Sequence, residues 1–277
     1  MKPAPFAYCR PESLDESLSL LAEHGDEAAL LAGGLSLGPL LNMRLARPTL
    51  VIDLNRLPDL GTIEQAGGHL RTGALVRQAD VEASAECRQA LPLLVAALAH
   101  VGHYQTRSRG TLAGSVAMAD PSSEIPLSLA TLAGEIELTS TRGVRRVAAG
   151  DFFRGALTTA RAEDEMITAL LWPLNTGGAG FEEISERRGD FAIVAAAAWV
   201  RALPDGRGFE YRLGLGGVED RPRCYQGEAD APASEIAADL VRDLSPLADQ
   251  RASADYRRHL ARHLAQRALE QAMERRP

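Results

Sequence analysis

The residues Gly34-Leu35-Ser36-Leu37-Gly38 fit the G-x-S-x-G pattern of a serine hydrolase elbow, where a strained strand-to-helix turn presents a serine nucleophile. That chemistry also needs strands and an oxyanion loop ahead of the elbow, with an acid and a histidine behind it. His100, His103, His259 and His263 do follow, but Ser36 lies too near the start of the chain for the preceding strands. The same residues suit another task. Small residues let consecutive backbone N–H groups converge on an anion, and a following helix adds its partial positive charge. Gly33 to Ser36, ahead of "LGPLL", offer this once, and Thr111 to Ser115 in "GTLAGSV" offer it again. Either loop alone reads equally well as a tight turn. Together they suit the two phosphates of a dinucleotide. No G-x-G-x-x-G follows a strand and no P-loop pattern occurs, so such a ligand would sit in a frame other than a Rossmann or P-loop fold.

Other candidates are weaker. His259 and His263 stand four apart on an expected helix and could hold a metal, but Arg257, Arg258 and Arg262 surround them, and cations repel a cation. A solvated basic face is the expectation, and no metal site. Cys9, Cys87 and Cys224 are scattered, without the spacing of an iron–sulfur or zinc site, and suit a reducing compartment. The formal charge of −7 argues against a nucleic-acid partner. The longest apolar run, "FAIVAAAAWV", is too short to span a bilayer, and no signal-peptide stretch opens the chain, so the expected location is cytoplasmic.

These residues need elements to place them. "SLDESLSLLAEHG" has a serine cap, leucines at helical spacing and a glycine stop, whereas "EAALLAGG" and "TLVIDLN" read as strands around a short helix at "LGPLLNMRL". Two short strands flank Gly67-Gly68, a helical stretch over residues 79–102 breaks near Pro92, and "GEIELTSTRGVRRV" reads as a hairpin. "NTGGAG" has the composition of a flexible connection, which puts a domain boundary near Asn175. Beyond it "FEEISERR", "FAIVAAAAWVRAL" and "EYRLGLGGV" read as antiparallel strands and the last two segments as helices. The fold class is α+β: a domain over 1–175, with subdomains of about 1–55 and 56–175, and a C-terminal domain over 176–277 with a small antiparallel sheet and helices.

Three blocks carry a family resemblance over essentially the whole chain. The first is Ala32-Gly33-Gly34-Leu35-Ser36 with Pro39 and Arg44. The second runs from Val101-Gly102-His103, Gln105 and Arg107 through Gly110 to Ser115, then Ala119-Asp120-Pro121 and Glu124. The third is Arg187, Gly189 and Asp190-Phe191-Ala192 with the later "LGLGGVEDRP". In this order they resemble the FAD-binding medium subunit of the molybdenum hydroxylases, the group of xanthine dehydrogenase, carbon monoxide dehydrogenase and bacterial N-heterocycle dehydrogenases. The resemblance implies an N-terminal FAD domain of two α/β subdomains, and FAD contacts from Ala32, Gly33, Gly34, Leu35, Ser36 and Leu37 in the first loop. In the second it implies Val101, Gly102, Thr106, Gly110, Thr111, Leu112, Ala113, Gly114, Ser115 and Ala117, with Glu124 as an acceptor for sugar or adenine. Ile167 and Phe181 match positions packed near the isoalloxazine ring, although Phe181 reads almost equally as a core aromatic. Leu35, Ala113, Tyr104 and Thr106 depart from the usual family residues; Ala113 stands where glycine is common, so the backbone there must keep φ negative.

By the same resemblance no catalytic residue lies in this chain. A large partner subunit with molybdopterin would oxidise the substrate, a small partner with two 2Fe–2S clusters would pass electrons on, and FAD here would hand them to an external acceptor, in a doubled heterotrimer. The alternatives are a stand-alone flavin oxidoreductase, the Ser36 hydrolase and a non-enzymatic scaffold that has lost FAD.

Overall fold

The computed structural model describes residues 2–174 and 176–276. The chain opens with strand β1 (Ala7–Cys9), helix α1 (Leu14–His24), β2 (Ala28–Leu31), the short α2 (Leu37–Asn42) and β3 (Leu50–Asp53). Helix α1 starts where the Ser13 hydroxyl accepts the Glu16 N–H at 3.1 Å while the Glu16 carboxylate reaches back to the Glu12 N–H at 2.9 Å. It stops at Gly25, whose φ of 52° lets its N–H return to the Leu21 carbonyl. Both β1 and β2 pair parallel to β3. All four residues of β3 are buried, as expected of a central parallel strand covered on both faces.

The second subdomain is an antiparallel sheet in the order β4-β5-β10-β6-β7, formed by β4 (Ile63–Ala66), β5 (His69–Gly73), β6 (Glu135–Ser140), β7 (Gly143–Ala148) and β10 (Met166–Pro173). Central β10 is fully buried up to Trp172, whose indole N–H donates to Thr72 Oγ1 on β5 at 3.0 Å. The helical stretch after β5 falls into three pieces, α3 (Gln78–Ala83), α4 (Ala85–Ala90) and α5 (Pro92–Leu98). The break at Pro92 is the expected one. A second arises at Ser84, whose extended backbone and hydroxyl cap α4 by accepting the Cys87 N–H at 3.1 Å. Three more helices follow, α6 (Tyr104–Arg107), α7 (Leu112–Met118) and α8 (Glu124–Thr131), and the one-turn α9 (Ala149–Phe152) leads into the small hairpin β8 (Phe153–Gly155) and β9 (Thr158–Thr159).

The last part is a four-stranded antiparallel meander, β11 (Gly178–Ile184), β12 (Val194–Ala202), β13 (Phe209–Gly216) and β14 (Arg223–Ala229), covered by α10 (Ala233–Leu240) and α11 (Ala254–Glu274). The alanine run of β12 is explained by its position between two helical layers. Ala195, Ala197 and Trp199 face the core of the first half, whereas Val194, Ala196, Ala198 and Val200 face the core built with α10 and α11. Two differences from the sequence reading stand out. Strand β14, alternating polar and half-buried, carries too little apolar signal to be seen. The expected connection "NTGGAG" is the other: Asn175 lies outside the described residues, but Gly178 to Gly180 form the start of β11. Those glycines permit close packing, because a Cβ at Gly178 or Gly180 would overlap the backbone carbonyl of Ala272 or Ala268 in α11. Among the described residues no helix is long and apolar enough to cross a membrane.

Candidate cofactor cleft

The two small-residue loops meet. Loop one leaves β2 at Ala32 and enters α2, and Gly34 takes a φ of 77° that favours glycine. Gly33 sits so near the second loop that a Cβ there would overlap the Arg109 carbonyl. The N–H groups of Gly33, Gly34, Leu35, Ser36 and Leu37 find no acceptor among the described residues. Such a row of unpaired donors has the make-up of an anion-binding nest. Loop two is shaped by Arg107, which pairs with Glu82 at 2.8 Å and donates to the Val101 carbonyl at 3.0 Å, and it ends at Thr111, whose hydroxyl accepts the Gly114 N–H at 3.0 Å and caps α7. The Gly114 N–H is therefore already paired. Ala113 lies within α7 and is absent from the positive-φ residues, as its side chain requires.

Between the loops lies a cleft of about 670 Å³, of the size that takes a cofactor. Every expected contact position lines it except Leu112, Ala113, Ile167 and Phe181. These four are buried: Leu112 and Ala113 in α7, Ile167 in β10, and Phe181 tilted against His100 with ring centroids 5.2 Å apart. Sequence reasoning missed Gln78, whose side chain is buried at the cleft with Nε2 donating to Ser115 Oγ at 3.1 Å and Oε1 unpartnered. A single glutamine at a helix start gives no pattern to find. It also missed that the loop between β11 and β12 reaches the cleft, with Gly189, Asp190 and a 53% exposed Phe191. An aromatic beside Gly-Asp was the available signal.

Glu124 opens α8 and is only 4% exposed, yet lines the cleft. Burial pushes its carboxyl up to about 8; its own backbone N–H opposes the shift, and the charges of Glu183 and Asp120 add to it. A carboxyl that stays protonated at neutral pH can face an anion without repelling it.

A family model described as "FAD binding domain in molybdopterin dehydrogenase" matches residues 4–175. The chain belongs to this family of flavoprotein subunits. A second model, "CO dehydrogenase flavoprotein C-terminal domain", matches residues 179–272. The chain is 35% identical to the 6-hydroxypseudooxynicotine dehydrogenase complex subunit alpha of Paenarthrobacter nicotinovorans, over 99% of this chain and 97% of that one. It is 36% identical to the nicotine 6-hydroxylase medium subunit of the same organism, over 94% of each. Its fold matches a chain of quinoline 2-oxidoreductase from Pseudomonas putida 86 with a TM-score of 0.93 and 34% identity, over 99% of both.

The residues of this flavoprotein subunit fit FAD on their own chemistry. The nest supplies N–H donors for a pyrophosphate, Gly33 leaves the room that backbone approach requires, and the buried Gln78 Oε1 lacks a partner. The hydrolase reading has no such fit, since no histidine lines the cleft and the Ser36 hydroxyl has no hydrogen-bond partner among the described residues. Ser36→Ala is expected to leave ester hydrolysis at the background rate and to weaken FAD binding by no more than about 10- to 150-fold, the worth of one charge-assisted hydrogen bond. Turnover of a p-nitrophenyl ester and flavin retained per chain are the two measurements.

Proposed function

We propose that this chain carries the FAD of a molybdenum hydroxylase, receiving electrons from the 2Fe–2S clusters of a small partner subunit and delivering them to an external acceptor. A large molybdopterin partner oxidises the substrate, and the cytoplasmic complex is a dimer of heterotrimers. Residues 1–175 form the cofactor domain and 176–277 the second domain. The observation that carries the reading is the meeting of both glycine loops on one cleft with a row of unpaired N–H groups.

FAD supplies a centre that accepts electrons singly or in pairs. The protein's own part is to hold it. The nest of Gly33 to Leu37 binds the pyrophosphate, Ser115 and Gln78 add polar contacts at the second loop, and Glu124, expected from the resemblance as an acceptor for sugar or adenine, can when protonated donate as well as accept there. Leu35, Met118 and Phe191 bring apolar surface that excludes water from part of the cleft.

The chain purified alone is expected to bind FAD and show a flavin spectrum. A substrate that reduces the flavin of the native complex anaerobically should leave the isolated chain oxidised. Bleaching of the isolated chain would favour a stand-alone flavoenzyme instead, and a colourless chain that takes up no added FAD would end the cofactor reading.

A further inference from the structure

Behind the cleft, polar side chains join the roots of the two loops. Asn55 follows β3, and its Nδ2 donates to the Ala32 carbonyl at 2.9 Å and to Asp53 Oδ1 at 2.6 Å. Its Oδ1 accepts from Arg77 Nη2 at 2.6 Å, and Arg77 Nη1 donates to the Arg109 carbonyl at 2.5 Å. That carbonyl is the atom a Cβ on Gly33 would strike. The amide orientation follows from its partners: turned over, Asn55 would set its oxygen against two oxygens and its NH2 against a guanidinium.

The far end is fixed by Asp53, which is buried and accepts from the Tyr8 hydroxyl and from the Asn55 N–H at 3.0 Å. Burial alone would raise the Asp53 carboxyl, but hydrogen bonds from Tyr8 and Asn55 and the Arg10 charge outweigh it and hold the carboxyl below its ordinary range. The result is a line of alternating partners from carboxylate to amide to guanidinium to carbonyl. It starts in the first subdomain and ends in the second. Backbone contacts reinforce the Arg77 end, since the Gln78 N–H donates to the Gly110 carbonyl at 2.9 Å and Arg77 bridges to Thr111.

We infer that Asn55 and Arg77 are positioning residues for the cofactor, forming a strut that sets the separation of the two glycine loops. This rests on the FAD reading above. Neither side chain lines the cleft, so the strut acts through the backbone it holds. A ligand that touches both loops binds best when they are already in register; without the strut, part of its binding energy goes into ordering them. The planar guanidinium can serve two acceptors at once, which a lysine ammonium on a flexible stem does poorly.

The test uses the full chain freed of flavin and titrated with FAD, with binding followed by flavin fluorescence. Arg77→Met and Asn55→Ala should each weaken binding about 10- to 100-fold, the worth of charge-assisted hydrogen bonds, with little change in the unfolding midpoint of the flavin-free chain. Arg77→Lys should not restore affinity, and the double variant should lose little more than either single one, because both break one strut. Native affinity in the single variants, full rescue by lysine, strictly additive losses, or losses matched by a lowered unfolding midpoint would each overturn the inference. If Arg77→Met does not fold by circular dichroism, Asn55→Ala decides. A wild-type chain that binds no FAD overturns the cofactor reading and the strut with it, whereas wild-type binding with unaffected variants overturns the strut alone.

Discussion

Gly33→Val is expected to yield a folded chain that loses its flavin on gel filtration. A Cβ at Gly33 meets backbone, not a movable side chain: it overlaps the Arg109 carbonyl and lies 3.0 Å from the Gly110 Cα. One loop must therefore retreat. Retreat moves the unpaired N–H groups of Gly33 to Leu37 away from the second loop and disturbs the Arg109 carbonyl that Arg77 holds. Two charge-assisted hydrogen bonds to phosphate, at about 1.5–3 kcal/mol each, correspond to a loss of roughly 100-fold to 10⁴-fold in dissociation constant. Gly38→Ala is the control, because nothing lies within 4 Å of its Cβ position and its φ is not positive. Flavin absorbance per chain, with circular dichroism for folding, reads both variants. Full flavin content in folded Gly33→Val would remove the loop-convergence argument.

Why these loops were legible in the sequence, and other parts were not, follows from what each residue has to satisfy. Gly33 and Gly34 are required by a close approach and a positive φ, which leave a compositional trace. The sequence treats Gly114 as their equal, yet its N–H is spent on the Thr111 cap and the α7 start is less free to bind an anion than the first loop. The alanines of β12 show as an apolar run because both faces are buried. Gly178 and Gly180 resemble a linker by the same composition that close strand-to-helix packing demands, and only the position of α11 separates the two. Asn55, Arg77 and Gln78 belong to no periodic pattern; Arg77 finds its partners 22 and 32 residues away. Phe191 reaches the cleft because Gly189 packs against the Gly102 carbonyl of the first half, while Arg251, in the same half as Phe191, holds the Phe191 carbonyl. Such contacts are set by tertiary packing, so the aromatic beside Gly-Asp shows in the sequence but the cleft it reaches does not.

Glu124→Gln is expected to abolish a pH dependence that the wild-type chain shows between about pH 4.5 and pH 8. Burial raises the folded-state pKa of Glu124 from 4.5 to about 8, with Glu183 and Asp120 adding to the shift. In that window the folded state keeps the proton and the unfolded state releases it, so the folded chain binds more protons and stability falls as pH rises. The contribution is complete below the unfolded pKa and lost as pH passes through the folded one. The slope is about 1.4 kcal/mol per pH unit for one group. Over the window that amounts to several kcal/mol, or on the order of 10 °C in unfolding midpoint for a chain of this size. Glutamine keeps the shape, an acceptor and a donor but has no proton to lose, and groups not coupled to position 124 titrate alike in both proteins. The difference between the two midpoints in the flavin-free chain therefore reports Glu124 together with its coupling to Glu183 and Asp120. It should grow from pH 5 to pH 8, with the variant the more stable at the alkaline end. FAD binding should show the same sign, because the ionised carboxylate at the cleft repels the pyrophosphate: wild-type affinity falls through pH 8 while that of Glu124→Gln stays level. Parallel midpoints from pH 5 to pH 8.5 would mean that Glu124 is ionised in the folded chain and that the cleft presents a negative charge to its ligand.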